Sequence, residues 1–315
     1  MKFVFPTPAE AEPGLRALKT VLESDGSLSL VERQLLDAGK RNILKQDFDL
    51  DALRPITPED LRAAIERPEI RRQLVTAMVV TSLASGEANQ DQLSTIEDFA
   101  KALAVDLHEI EQLRKYVKRE YALLRLDVLR HMYIGDRIGQ LYEQQGAVGI
   151  LKTLGTLRGA LENKQTAARY QALEKLPRGT LGREYFEHCR ERGFPLPGER
   201  YSAPEMILPH DLSHILGDYD TDPKGELQVA AFSAGYRKEQ TASILVFVLC
   251  QFDLGIQMVP QAKPEIGELD MDAFLKAFLR GTQCNTDFFD HWDHWAVIDR
   301  PVEELRLRYS IPPKA

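Results

Sequence analysis

Apolar residues recur at helical spacing along most of the N-terminal half of the chain. The first such run extends from Leu28 to about Lys45, and Ser27 and Ser29 precede it as candidate capping residues. Apolar positions three and four residues apart give a helix one face that can be buried. No stretch of comparable length shows sustained period-two alternation, so any sheet would be small. The pattern predicts an all-α fold.

Capping residues divide this half into several further helices. Thr57 precedes a proline and two acidic residues, which is typical of a helix start. Residues 70–84 form a strongly apolar helix, and Asn89 begins the next one. We expect Asp106 to cap another helix that continues through Leu124. Short turns join these helices.

A cluster of glycines between residues 135 and 155 interrupts the helical pattern. A chain of 315 residues usually forms more than one core. We therefore predict two helical domains, residues 1–145 and 146–315, with the boundary near residue 145.

Composition and charge exclude several classes of protein. Hydrophobic residues make up 43% and charged residues 28% of the chain, as in folded globular proteins. The net charge of −8 disfavours nucleic-acid binding. The three scattered cysteines indicate neither a disulfide framework nor a cysteine metal site. The N-terminus lacks the apolar stretch of a signal peptide, and the longest apolar run is far shorter than the ~20 residues of a membrane span. We expect a cytoplasmic protein.

Four residues in the C-terminal half have the spacing of a metal motif. His210 and His214 are four residues apart, and so lie on one helix face about 40° apart. Asp211 lies on the adjoining edge, and Pro209 suits the first turn of the helix that carries all three. Glu226 follows a turn-forming stretch and opens the next helix, so it could fold back over the histidines.

A mixed set of imidazole and carboxylate ligands suits zinc, ferrous iron or manganese. Zinc is our first choice of divalent metal. Such an ion polarises a carbonyl or carboxylate group or activates a bound water molecule, provided that one coordination position is open. A pair of histidines on a helix with two capping carboxylates is also common without any metal, so this simpler interpretation stays open.

Three ordered segments resemble the ubiquinone (coenzyme Q) biosynthesis family named for the fourth Coq protein. The first is the motif His210-Asp211-x-x-His214 followed after eleven residues by Glu226. Residues 176–185 resemble the family's Leu-Pro-x-Gly-Thr-x-Gly-x-x-Tyr segment. Residues 295–311 resemble its ending of tryptophan, Glu-x-x-Arg and a short apolar finish. The resemblance covers roughly residues 150–312.

This resemblance implies an all-α fold, with the ligand roles assigned to the four motif residues. It also implies oxidative decarboxylation of a prenylated aromatic quinone precursor, binding of long prenyl lipids, association with other quinone-biosynthesis enzymes, and peripheral contact with the inner membrane. Three features depart from the family pattern. Residues 206–209 replace an Arg-Tyr-rich lead, and Ala230 stands where the family has lysine. The attached N-terminal helical domain is a further departure from the stand-alone family form. The substrate therefore need not be the family's own.

Residues 75–117 resemble the tellurite-resistance TerB-like helical fold. The resemblance consists of an apolar helix, a Ser-Gly-Glu turn and a following helix that opens with Asp91. Ser85 stands where that family usually has a metal-binding aspartate, so we carry over the fold and no metal site. The predicted role of this module is interaction with a partner or formation of a homo-oligomer.

Three functions compete at this stage. The first is a metal-dependent enzyme, a lyase or oxidative decarboxylase, that acts on or presents a quinone precursor, with its catalytic residues unassigned. The second is a noncatalytic helical scaffold that binds lipid and partner enzymes. The third is an HD-type phosphohydrolase, suggested by His210-Asp211, although His214 and Glu226 have no role in that scheme.

The remaining histidines favour less specific interpretations. His291 and His294 could form a second metal site, but tryptophans three residues apart more often anchor a helix against the core. His131 and His188 show no convergent partners in the sequence, and we interpret both as ordinary core or surface residues.

Overall fold

The computed structural model describes residues 3–132, 161–239, 241–260 and 262–314. These ranges contain fourteen α-helices and no β-strand, so the all-α prediction is confirmed. Two isolated β-bridges join Thr180 to Pro301 and Leu254 to Ile266. In chain order the helices are α1 (Pro8–Leu22), α2 (Leu30–Gly39), α3 (Pro58–Ala64), α4 (Pro68–Ala84), α5 (Gln90–Leu103), α6 (Glu109–Val117), α7 (Tyr121–His131), α8 (Lys164–Gln171), α9 (Leu181–Glu191), α10 (Leu208–Gly217), α11 (Pro223–Tyr236), α12 (Thr241–Phe252), α13 (Met271–Thr282) and α14 (Val302–Arg308).

Local capping chemistry accounts for several helix starts. The Ser29 hydroxyl accepts a hydrogen bond from the amide of Glu32, whose carboxylate in turn accepts one from the Ser29 amide. Asn89 accepts hydrogen bonds from the amides of Asp91 and Gln92 at the start of α5. These side chains satisfy amide donors that have no partner within the helix. The predicted starts of α2 and α5 agree with the structure.

Two helices differ from the sequence prediction. α1 was not predicted, although Leu15, Val21 and Leu22 are fully buried on it. The helix expected to run from Asp106 through Leu124 is divided into α6 and α7. Arg119 adopts a left-handed conformation, with φ of 57°, between the two helices, and this conformation ends α6.

The described residues form two compact units. Unit 1 comprises Met1–Leu129 and Asp222–Thr282, and unit 2 comprises Arg130–Thr221 and Gln283–Ala315. The chain therefore contributes two separate stretches to each unit. The boundary that we predicted near residue 145 lies outside the described residues.

Unit 1 brings α11 and α13 into direct backbone contact at two glycines. A Cβ atom at Gly281 would lie 2.0 Å from the carbonyl oxygen of Phe232, and one at Gly235 would lie 2.2 Å from that of Phe278. Neither position has room for a side chain. The close approach buries Phe232 completely.

A buried carboxylate fixes the start of α1 in the same unit. Glu10 is 7% exposed and accepts hydrogen bonds from the Thr7 amide at 2.8 Å and the Thr7 hydroxyl at 2.9 Å. The guanidinium of Arg67 donates two more, one of them from Nε at 2.9 Å. Arg67 thereby holds the pKa of Glu10 at about 2, well below its usual value. This network connects the first turn of α1 to the start of α4.

In unit 2, the segments of residues 176–185 and 295–311 pair with each other. The Gly182 amide donates to the carbonyl of Ile298 at 2.7 Å, and the Val302 amide donates to that of Gly179 at 2.8 Å. A Cβ atom at Gly182 would lie 3.0 Å from the Ile298 carbonyl oxygen. Glycine at position 182 therefore permits this close pairing.

No helix among the described residues combines the length and the apolar character needed to cross a bilayer.

Candidate metal centre

Helix α10 carries three of the four predicted ligand residues. Pro209 occupies the first turn, where its missing amide hydrogen costs nothing, and His210 and Asp211 follow it in that turn. The helix ends at Gly217 because Asp218 adopts a left-handed conformation with φ of 56°. The resulting short helix places the rings of His210 and His214 with their centroids 4.8 Å apart.

A backbone hydrogen bond orients the imidazole of His214. This side chain is 3% exposed, and its Nδ1 lies 3.2 Å from the carbonyl oxygen of Tyr219. A carbonyl oxygen only accepts hydrogen bonds, so Nδ1 carries a hydrogen and donates it, which leaves Nε2 as the ring nitrogen available to a metal ion. Imidazoles that bind metal ions are typically oriented in this way by a carbonyl or carboxylate on the opposite ring nitrogen.

The fourth predicted residue, Glu226, lies in the first turn of α11. The Asp222 carboxylate caps this helix by accepting a hydrogen bond from the Gly225 amide at 2.7 Å. Glu226 belongs to unit 1, whereas His210 and His214 belong to unit 2. Within unit 2, the two imidazoles on one short helix are a pair that could bind a metal ion.

Asp211 lies next to His210 in the first turn of α10. Its carboxylate lies 3.4 Å from Nδ1 of His210, and about a third of the side chain is exposed. Burial raises the pKa of Tyr185 well above its usual value, and the negative charge of Asp211 raises it further. Asp211 therefore sits beside one of the two imidazoles, and its charge acts on a buried tyrosine of unit 2.

The predicted donor set fits a divalent transition metal. Two imidazoles and a carboxylate suit zinc, ferrous iron and manganese, whereas magnesium and calcium prefer oxygen ligands.

His188 lies beside this centre, although the sequence indicated no partner for it. Its ring centroid is 6.0 Å from that of His214. Burial, together with the positive charge of Arg192, lowers the pKa of His188 to about 4. The ring is therefore neutral at pH 7 and can donate or accept a hydrogen bond. Only the packing of α9 against α10 reveals this proximity, because the two histidines share no helical period.

The C-terminal segment supports α10 from its carboxyl end. Arg306 donates hydrogen bonds from its guanidinium to the carbonyls of Ile215 at 2.9 Å and Leu216 at 3.1 Å. Lys314 donates to the carbonyl of Asp218 at 2.7 Å. Cations at a helix C-terminus stabilise its unpaired carbonyl groups. The Glu-x-x-Arg segment that we noted in the sequence thus positions the helix that carries the histidines.

His108 and Asp127 form a second cluster of potential ligands, in unit 1. Although burial opposes ionisation of Asp127, hydrogen bonds from Lys115 and His108 lower the pKa of this carboxyl group. The Lys115 ammonium lies 2.8 Å from one carboxylate oxygen, and Nε2 of His108 lies 2.8 Å from the other. A fixed ammonium beside the carboxylate repels a second cation, so this group is better explained as an ion-pair network.

The alternative pair of His291 and His294 does not form a ligand group among the described residues. The His291 side chain is 96% exposed. The His294 ring packs against Trp295, with a centroid distance of 5.2 Å, and burial lowers its pKa to about 4. Arg169 stacks 3.4 Å above the Trp295 ring. This region is a packed aromatic cluster.

No protein-family model and no curated protein matches the sequence.

Proposed function

We propose that His210, His214 and Glu226 hold one divalent transition-metal ion, with zinc favoured over iron and manganese. The observation that carries the proposal is the pair of imidazoles in unit 2, because the ring centroids of His210 and His214 lie 4.8 Å apart. The hydrogen bond from His214 to the Tyr219 carbonyl supports it, because it fixes the ring in the form that binds metal. Asp211 would act beside the ion by fixing His210 or as a fourth ligand.

We further propose that the chain is a metal-dependent component of quinone biosynthesis. This part rests on the resemblance of three ordered segments to the ubiquinone-biosynthesis family. The ion would supply a Lewis acid for the carboxylate of an aromatic precursor. Around it, the chain offers the neutral imidazole of His188 as a hydrogen-bonding group, while Arg306 keeps α10 in place.

Metal analysis tests the first part of the proposal. We expect the purified chain to contain about one metal ion by plasma mass spectrometry. The His210→Ala and His214→Ala variants should retain less than a tenth of that amount. His291→Ala is the matched control, because this histidine is 96% exposed and remote in sequence from the motif. Equal metal content in all four proteins would overturn the assignment.

Cobalt substitution separates specific binding from loose surface binding. Cobalt(II) held by imidazole and carboxylate in a four-coordinate site gives a visible absorption that the hydrated ion lacks. We expect this spectrum from the wild type and from His291→Ala. A cobalt-loaded protein without it would show that the ion is not held in a site of that kind.

Complementation tests the quinone-related part. The wild-type chain should restore quinone content in a host that lacks the corresponding biosynthetic component, and the double variant His210→Ala/His214→Ala should fail to do so. A double variant that lacks metal and still restores quinone would refute the enzyme hypothesis and favour the noncatalytic scaffold.

A further inference from the structure

Unit 1 contains a large apolar cavity that is separate from the candidate metal centre. Its volume is about 470 Å³, and its walls come from α1, α2, α4, α12 and α13. Ligand pockets typically measure about 300–1,000 Å³ and are mostly apolar. The cavity therefore has the size and character of a ligand-binding pocket.

Small residues keep this space open. Gly14, Gly39, Ala77 and Ala242 all line the cavity. A Cβ atom at Gly39 would meet nothing within 4 Å, and one at Gly14 would meet only Leu74, at 3.8 Å. An added methyl group would thus fit at Gly14 and at Gly39 without a clash.

Most polar side chains that reach the cavity are already engaged with protein atoms. Gln73 bonds to the backbone of Val4 through both of its amide atoms, at 2.7 and 2.8 Å. Glu109 accepts a hydrogen bond from Ser243 at 2.7 Å, and Thr81 donates to the carbonyl of Ala77. These groups are satisfied without a ligand.

The hydroxyl of Thr241 is different. It lines the cavity at the first residue of α12, its oxygen is buried, and it has no hydrogen-bond partner among the described residues. A buried hydroxyl without a partner is unfavourable relative to one that is bonded. A ligand with one hydrogen-bonding group would satisfy it.

The charges around the cavity favour an uncharged ligand. Three acidic side chains, Glu10, Glu109 and Glu239, and two basic ones, Arg72 and Lys238, line the cavity. Arg72 donates to the carbonyl of Asp106 at 3.0 Å, and the Glu10 carboxylate is bonded to Arg67. With Glu10 paired to Arg67, two acidic and two basic side chains remain, so the lining has no net charge to attract a charged head group.

We infer that unit 1 binds a long-chain primary alcohol, with its aliphatic chain in the cavity and its hydroxyl bonded to Thr241. A cavity of about 150 Å³ accommodates the six carbons of benzene, so one about three times larger accommodates a chain on the order of 15–20 carbons. This inference does not depend on the metal centre, because none of the residues that line the cavity is a proposed metal ligand.

Displacement of a neutral fluorophore measures this binding in the full chain. We expect Nile red to fluoresce when it enters the cavity and to be displaced by 1-hexadecanol more effectively than by hexadecanoate. The ratio of the two affinities should be at least about five-fold, which corresponds to one hydrogen bond or one unfavourable charge. Tighter binding of hexadecanoate would overturn the uncharged head group, and failure of every chain to displace the dye would overturn the site.

Two variants and one control locate the ligand. Ala77→Phe places a large side chain in the cavity and should weaken hexadecanol binding at least twenty-fold. The control, Ala122→Phe, places the same side chain at an exposed position of α7 and should leave binding unchanged. Thr241→Val should weaken hexadecanol binding about five-fold and leave hexadecane binding unchanged.

Wild-type hexadecanol affinity in a folded Ala77→Phe variant, judged by circular dichroism, would refute the inference. If Ala77→Phe does not fold, the Thr241→Val comparison decides, and equal losses for alcohol and alkane would refute it.

The metal-deficient variant His210→Ala/His214→Ala should bind hexadecanol with wild-type affinity. Loss of metal with retained alcohol binding would support this inference and the proposed metal site as independent properties. Loss of alcohol binding in this variant would contradict the location of the ligand in unit 1.

Discussion

Replacement of Gly281 by alanine tests how closely α11 and α13 must approach each other. The added Cβ would lie 2.0 Å from the carbonyl oxygen of Phe232, whereas ordinary contacts of this kind begin at 3.4 Å. The blocking atoms belong to backbone on both sides, so no side-chain rotation relieves the overlap. The two helices must therefore separate by more than ~1 Å at this point.

The energetic consequence follows from the packing around the contact. A gap of about 0.5–1 Å already removes a quarter to a half of the attraction between facing atoms. Overpacking of a well-packed core typically costs about 1–3 kcal/mol and occasionally more. Since Phe232 is fully buried at this contact, we expect Gly281→Ala to lower the free energy of unfolding by at least about 3 kcal/mol.

Urea unfolding followed by circular dichroism measures this loss, and Gly39→Ala is the matched control. Gly39 belongs to the same unit, has a right-handed helical conformation with φ of −59°, and has no atom within 4 Å of the added Cβ. The same substitution should there stabilise the protein by about 0.5–1 kcal/mol, because alanine restricts the unfolded chain. A Gly281→Ala variant within about 0.5 kcal/mol of the wild type would refute this account of the packing.

Three further predictions concern the described interactions. Glu10→Gln should lower the free energy of unfolding at pH 7 by about 2 kcal/mol. This is less than the full pKa shift implies, because solvent around the partly exposed Arg67 screens the interaction. Because the pKa of Glu10 is depressed to about 2, its contribution to stability is present above about pH 4.5 and is lost as the pH falls toward 2. In acid titration, the stability of the variant should therefore change less with pH than that of the wild type. Glu226→Gln should weaken zinc binding more than Asp211→Asn does, as measured by competition with a chelating dye. For Asp211→Asn we expect a loss of affinity of about 10–100-fold. The reverse order would make Asp211 the ligand and Glu226 the supporting carboxylate. Arg306→Ala should lower the free energy of unfolding by about 1–2 kcal/mol, because it removes two charged hydrogen bonds at the end of α10. An unchanged melting temperature would contradict a stabilising role of Arg306 at this helix end.

Local signals in the sequence predicted much of the fold. Ser29 and Asn89 specify helix starts through their own side chains, so neighbouring residues suffice to locate α2 and α5. α1 escaped prediction because Pro13 lies inside it and removes a backbone hydrogen-bond donor. Burial of the apolar face of α1 outweighs that local preference. The break at Arg119 likewise has no glycine to indicate it.

Sequence spacing also predicts only part of the candidate site, because the rest depends on the packing of helices. His210 and His214 are four residues apart on one helix, so helical geometry alone predicts their proximity. The proximity of His188 to His214 depends on the packing of two helices and leaves no periodic trace in the sequence. The role of Arg306 at the end of α10 is equally non-local, although the resemblance singled out its segment.

The discontinuity of unit 1 affects how the chain can fold during synthesis on the ribosome. The unit needs residues up to Thr282, whereas its first stretch ends at Leu129. At about 5–20 residues per second, the ribosome takes roughly 8–30 s to synthesise the chain between these two points. During this interval the nascent α4 has no α12 to cover it, so its apolar side chains remain available to chaperones or to other nascent chains.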